Sequence, residues 1–214
     1  APGTLAFSLL GHMRGGPAKA AVVSSALTGM ISGSSIANVV TTGTFTIPLM
    51  KKVGYSPKSS AAIEATASSG GQILPPIMGA VVFLMVEFTG ISYGDIVSSS
   101  IVLALLYYLG VMAQVHFYSV RHDLGAFEGE IPRIPRVLRE GWMFLIPIAG
   151  LVYMIEAGRS AQFSAVVAIA LVIGLSWFSR LRENRIGPRR LVDLLVEATA
   201  MMAPLIAAVA GAGL

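Results

Sequence analysis

Gly33-Ser34-Ser35-Ile36-Ala37-Asn38 interrupts a stretch, residues 20–50, that contains no charged residue. A run of that length without charge reads as membrane-embedded. Six residues at its centre, all but Ile36 small or polar, would leave backbone groups facing hydrocarbon if lipid surrounded them. Broken backbone at that depth is tolerated where it lines a cavity or is buried in protein. The patch, with Thr41 and Thr42 just beyond it, is therefore a candidate ligand site at mid-membrane.

Composition agrees with a membrane setting. Charged residues make up 12% of the chain and the mean hydropathy is +0.76, whereas a soluble domain carries about 25% charge. The apolar runs are continuous rather than alternating, which excludes a β-barrel and leaves an all-α, polytopic membrane protein. The absence of cysteine removes disulfides and thiolate metal sites. The formal charge of +4 does not point to nucleic acid, because the basic residues sit in short loops between apolar segments. The chain opens at Ala1 without a methionine and stops at Leu214 inside an apolar run, so it is expected to be a partial chain of a longer protein.

Outward from the central stretch, the chain divides into a lead and connector (1–19), a hairpin (20–50), and a broken helix with its connector (51–90). A plain span (91–122), a cytoplasmic loop (123–140), two further spans (141–180), and a connector with the start of another span (181–214) follow. If residues 20–50 dip into the membrane and return, 14 of the 15 basic residues fall on one face and Arg159 alone lies opposite. If they cross once, Arg14 and Lys19 change sides. The positive-inside rule therefore favours a re-entrant hairpin opening to the cytoplasm. Arms of about 21 and 19 Å as helix would each reach the middle of a ~30 Å core.

The broken helix is interrupted at a similar depth by Gly70-Gly71-Gln72-Ile73-Leu74-Pro75-Pro76. Each break is expected to leave unpaired carbonyls where one half ends, near Ser32–Gly33 and near Ser69–Gly71, and unpaired N–H groups where the next begins, near Asn38 and Pro75–Pro76. The carbonyl ends suit a small hard cation such as Na⁺, assisted by oxygens of Ser34, Ser35, Asn38 and Gln72, whereas the N–H ends suit an anionic solute group. Pro76 fits a helix start because its missing N–H would be unpaired there anyway.

Ala21, Ser25, Gly29, Gly33 and Ala37 recur every four residues and read as a packing stripe. Glu64 is a candidate coupling carboxylate, being intramembrane, although Lys58 and a helix start at the inner surface would equally account for it. Tyr107, Tyr108, Tyr118 and Trp142 read as interface anchors or packing residues. His12, His116 and His122 lack metal-ligand spacing. A serine protease is excluded by the lack of a histidine in a later span core, so the chain is expected not to be an enzyme and to need no cofactor beyond a coupling ion.

Residues 33–55 (GSSIANVVTTGTFTIPLMKKVGY) and 63–83 (IEATASSGGQILPPIMGAVVF) resemble the large membrane subunit of tripartite ATP-independent periplasmic (TRAP) transporters. The likeness is to the subtype served by TAXI-type solute-binding proteins, in which small and large membrane subunits are commonly fused. The resemblance implies an elevator-type, Na⁺-coupled permease in a bacterial or archaeal inner membrane. It would take organic acids from a periplasmic solute-binding protein and work with a small membrane subunit. It places Ser34, Ser35 and Asn38 at a re-entrant tip, and Gly70 to Pro76 in the unwound part of a discontinuous helix. Na⁺ would lie near Ser34, Ser35, Asn38 and Gly70. A stand-alone Na⁺:dicarboxylate symporter of related two-hairpin fold and a scaffold subunit without a solute of its own are the rivals.

Overall fold

In the computed structural model, which describes residues 2–79, 81–125, 145–178 and 187–211, the secondary structure is helical, with no strand among the described residues. After α1 (Pro2–Leu10), Gly15 turns the chain at φ 64 and Pro17 occupies the first turn of α2 (Gly16–Ser32). Gly33, at φ 62, ends α2 and returns its N–H to the Gly29 carbonyl at 2.8 Å, the left-handed stop that glycine adopts without a Cβ penalty. Ser34 is extended, and its Oγ accepts from the Ala37 N–H at 3.3 Å, capping α3 (Ser35–Lys52).

Two expectations change here. The break is the pair Gly33–Ser34 rather than six residues, and the N–H end lies at Ser35, not Asn38. A serine that supplies its own cap lets the helix restart at once. The first arm also begins at Gly16, so the arms have 17 and 18 residues, about 26 and 27 Å instead of 21 and 19. They run antiparallel, because residues equally spaced about the break meet. Ser25 Oγ lies 3.1 Å from Thr42 Oγ1, and a Cβ on Gly29 would come within 2.9 Å of the Asn38 amide nitrogen.

α4 (Pro57–Gly70) starts at a Ser56 cap, with Pro57 at its first position, and stops at Gly70. The irregular stretch from Gly71 to Gly79 follows, then α5 (Val81–Thr89). Pro76 therefore does not open the second half-helix. The Gly79 N–H bonds the Gln72 carbonyl at 2.8 Å, and Tyr93 Oη donates to the Pro76 and Ile77 carbonyls, 2.9 Å from each. These bonds fold the segment back on itself, and Pro76 falls inside it. Nor are the carbonyls closing α4 unpaired. Those of Ser68, Ser69 and Gly70 accept the N–H groups of Gly71, Gln72 and Ile73 at 3.2–3.3 Å.

α6 (Tyr93–Arg121) has 29 residues and a mean hydropathy of 2.0 over its apolar window, enough by length and composition to cross a membrane. It is the one such helix among the described residues; Ile146–Ile155 and Phe163–Trp177 are shorter apolar helices. Tyr107 Oη bonds the Thr66 carbonyl at 2.7 Å and Tyr108 Oη that of Ala67 at 3.0 Å, so both tyrosines hold the end of α4. Tyr108→Phe is expected to lower stability by about 1 kcal/mol, the worth of one such bond; thermal unfolding of the full-length protein in detergent measures it.

Ala18, Ala21, Val22, Met50, Ala67, Val111 and Val115 form the core shared by α2, α3, α4 and α6. At one end of these helices the connectors interlock. Arg14 pairs with Asp123, Tyr55 Oη meets Ser119 Oγ at 2.5 Å, and Ser59 Oγ meets Tyr118 Oη at 2.7 Å. Arg14, Lys51, Lys52, Lys58 and Arg121 thus gather at a common end, as the charge pattern expects, with Lys19 one turn inside α2. Tyr118 stacks on Tyr55 with ring centroids 5.8 Å apart.

Two compact units are present, residues 1–145 and 146–214. The second contains α7 (Leu145–Glu156) from Ile146 onward, α8 (Ala161–Phe178) and α9 (Pro188–Gly211). A turn at Gly158, φ 72, joins α7 to α8, and Leu171 packs against Gly150. Most of the expected 123–140 loop, Trp142, and Arg133, Arg136, Arg139, Arg180, Arg182 and Arg185 lie outside the described residues.

Candidate functional site

The two breaks touch. A Cβ on Gly71 would sit 2.5 Å from the Gly29 Cα, and one on Gly29 would sit 2.7 Å from the Gly71 Cα. Only two glycines allow α2 and the end of α4 to meet backbone to backbone. Above that contact, a Cβ on Gly33 would come within 2.0 Å of the Met78 carbonyl oxygen. Gln72 Nε2 donates to Ser35 Oγ at 3.1 Å, bridging one break to the other.

Asn38 lies beneath this junction and is fully buried. Its Nδ2 donates to the Ser25 carbonyl at 2.8 Å, while its Oδ1 has no hydrogen-bond partner. An orphaned buried amide oxygen is uncommon and costs desolvation energy, so it marks a position where a donor or a cation would be stabilised.

The remaining expected residues divide. Ser34 Oγ is committed to capping α3. Thr41 is exposed, its hydroxyl turned back to the Ala37 carbonyl at 2.7 Å, so it stands apart from the junction. Gly70 faces α6: a Cβ there would lie 2.5 Å from Tyr107 Cε1. Gly71, not Gly70, is the glycine set against the hairpin. Pro76 is buried and Pro75 half-buried in the folded-back segment.

Thr42 belongs to a separate cluster around Glu64. The Glu64 carboxyl is fully buried, not at the helix surface near Lys58. Its Oε1 accepts from Ser25 Oγ at 2.8 Å, from Ser68 Oγ at 3.2 Å and from the Thr42 hydroxyl; its Oε2 accepts from Thr46 Oγ1 at 2.6 Å. A Cβ on Gly43 would lie 3.3 Å from Glu64 Cγ, so glycine gives the glutamate stem its room.

Ser25 and Gly29, read as packing residues, and Thr46 and Ser68, not singled out, are the additions. A signal existed for them. Thr42 and Thr46 are one turn apart on α3, Glu64 and Ser68 one turn apart on α4, and Ser25 mirrors Thr42 about the break.

Against known proteins, residues 4–214 match the family described as "Tripartite ATP-independent periplasmic transporter, DctM component". The C4-dicarboxylate TRAP transporter large permease protein DctM of Pseudomonas aeruginosa is 34% identical over 134 residues, 63% of this chain and 29% of that protein. The isethionate TRAP transporter permease protein DctMQ of Oleidesulfovibrio alaskensis is 30% identical over 176 residues, 76% of this chain and 27% of that protein. An uncharacterized protein, y4mL, of Sinorhizobium fredii is 28% identical over 184 residues, 81% of this chain and 43% of that protein. The chain spans less than half the length of these relatives.

Proposed function

The chain belongs to the DctM component family of tripartite ATP-independent periplasmic transporters, and from that premise we propose that it is part of a Na⁺-coupled permease importing small organic acids. In this reading α2 and α3 form a re-entrant hairpin opening to the cytoplasm in a bacterial or archaeal inner membrane. The surface lies near Lys19, Lys51 and Lys52. The permease receives its solute from a periplasmic solute-binding protein, of TAXI type, and works with a small membrane subunit. The DctMQ name of one relative is consistent with fusion of that subunit.

The contact of the two breaks over Asn38 carries the proposal. Hard cations prefer oxygen ligands, and Asn38 Oδ1 is a buried oxygen with no donor. Ser35 and the carbonyl groups around Gly33 and Gly71 are the further oxygens within the same junction. The start of α3, with its N–H groups and positive dipole end, suits the anionic group of the solute. The relatives' names, C4-dicarboxylate and isethionate, are those of small polar solutes. A substrate site between the two interruptions fits an elevator motion of the hairpin and α4 together.

The test is reconstitution of the full-length permease in liposomes with its binding protein and labelled succinate as the first of a panel of carboxylates. An inward Na⁺ gradient and the binding protein should both be required. Equal uptake without the binding protein would instead identify a stand-alone symporter. A full-length protein that neither transports nor gains thermal stability with Na⁺ would be a scaffold.

A further inference from the structure

The Gly29–Gly71 contact brings the breaks together but nothing in it is directional. Two glycines supply close approach and dispersion, and a slide of one residue, about 1.5 Å along a helix, would meet little resistance from them. Across the breaks themselves there is the one exposed Gln72–Ser35 bond; the buried directional contacts lie one turn below, where the Glu64 carboxyl collects hydroxyls from three helices: Ser25 of α2, Thr42 and Thr46 of α3, and Ser68 of its own α4. Hydrogen bonds weaken steeply beyond their normal lengths, so the same slide would break them.

The cluster is closed on itself. Apart from the Thr42 contact, its hydroxyl oxygens stand 2.6–3.2 Å from the carboxyl, ordinary hydrogen-bond lengths. The charged groups of the packed helices lie elsewhere. Lys19 Nζ is bonded to His116 Nδ1 at 3.0 Å, and Lys51, Lys52, Lys58, Asp95 and Arg121 are exposed.

We infer that Glu64 is a positioning residue, a clasp that fixes the register of the α2–α3 hairpin on α4 and thereby holds the two breaks at the separation the site requires. The inference rests on the reading of that junction as the ion and solute site. It differs from a coupling role for Glu64 in what a glutamine should do. Glutamine keeps Oε1 as acceptor for Ser25, Thr42 and Ser68, and its Nε2 donates to Thr46 Oγ1, whose own proton turns to the Thr42 carbonyl 2.9 Å away. The four hydroxyls and the glutamine oxygen all keep a partner, as does one of the two Nε2–H groups.

Two readouts on the full-length permease test this. The first is the Na⁺ concentration giving half-maximal thermal stabilisation. Glu64→Gln should stay within about twofold of the parent at every pH. Ser25→Ala and Thr46→Val should each raise the midpoint by roughly fivefold, as expected for one hydrogen bond. Glu64→Ala should raise it by more than tenfold. The second readout needs no ion: the distance distribution between spin labels at Ile36→Cys, 79% exposed at the hairpin tip, and Ser69→Cys, exposed at the end of α4. It should be narrow in the parent and Glu64→Gln, and broadened in Glu64→Ala or, if that variant does not fold, in Thr46→Val. Distributions as narrow in the alanine and valine variants as in the parent would overturn the clasp. So would a Glu64→Gln protein that loses the pH dependence of uptake, since the proton itself would then be the function. A parent that ignores Na⁺ yet shows the label pattern would defeat the transport reading and leave the clasp standing.

Discussion

Full-length permease carrying Gly71→Leu is expected to lose uptake by about a hundredfold or more while retaining its helix content. The Cβ alone would sit 2.5 Å from the Gly29 Cα and 2.9 Å from its carbonyl carbon, and those are backbone atoms that no rotamer change can move. Overpacking against side chains costs about 1–3 kcal/mol because neighbours yield; here the helices must part instead. A separation of even 1 Å at a binding site can cost about a hundredfold in rate. Gly29→Leu should reproduce the defect from the other side. Labelled-solute uptake beside circular dichroism separates this from unfolding, and retained uptake in both leucine variants would mean that the breaks need not meet.

The second large effect is expected at Asn38. Asn38→Ala removes the orphaned Oδ1 and the 2.8 Å bond to the Ser25 carbonyl. That carbonyl lies within α2 and keeps its helical N–H, so the stability loss should be near the ordinary 1 kcal/mol of one bond. If Oδ1 ligates Na⁺, the sodium midpoint should rise further, by roughly tenfold to a hundredfold, because contacts to charged groups are worth about 1.5–3 kcal/mol. The comparison is between two numbers from the same protein, thermal stability without Na⁺ and the Na⁺ midpoint. A midpoint that moves no more than stability predicts would assign Asn38 to packing.

Much of the fold was legible because it follows from local chemistry. The uncharged stretch, the interruption at Gly33 and the glycine end of α4 are properties of neighbouring residues. The common end of Arg14, Lys51, Lys52, Lys58 and Arg121 followed from charge alone. The error at Asn38 was local too: Ser34-Ser35 already offered the cap that starts α3. Pro76 misled for a different reason. Its preference for a first helical turn is real, but Tyr93, 17 residues on, and the fold-back to Gln72 outweigh it.

Glu64 marks the boundary between the two kinds of information. Six residues from Lys58 it read either as a coupling carboxylate or as a charge at a helix start, yet its partners come from 22 and 39 positions away. By itself the sequence determined that the chain is helical, that the hairpin and the helix after it are each interrupted, and which end carries the basic residues, because hydropathy and glycine conformations act within a few residues. Only the tertiary structure decided that Gly71 rather than Gly70 faces the hairpin, that Asn38 is buried with a free oxygen, and that Glu64 joins three helices. Those facts depend on the register between helices, where a shift of about 1.5 Å exchanges one residue for the next.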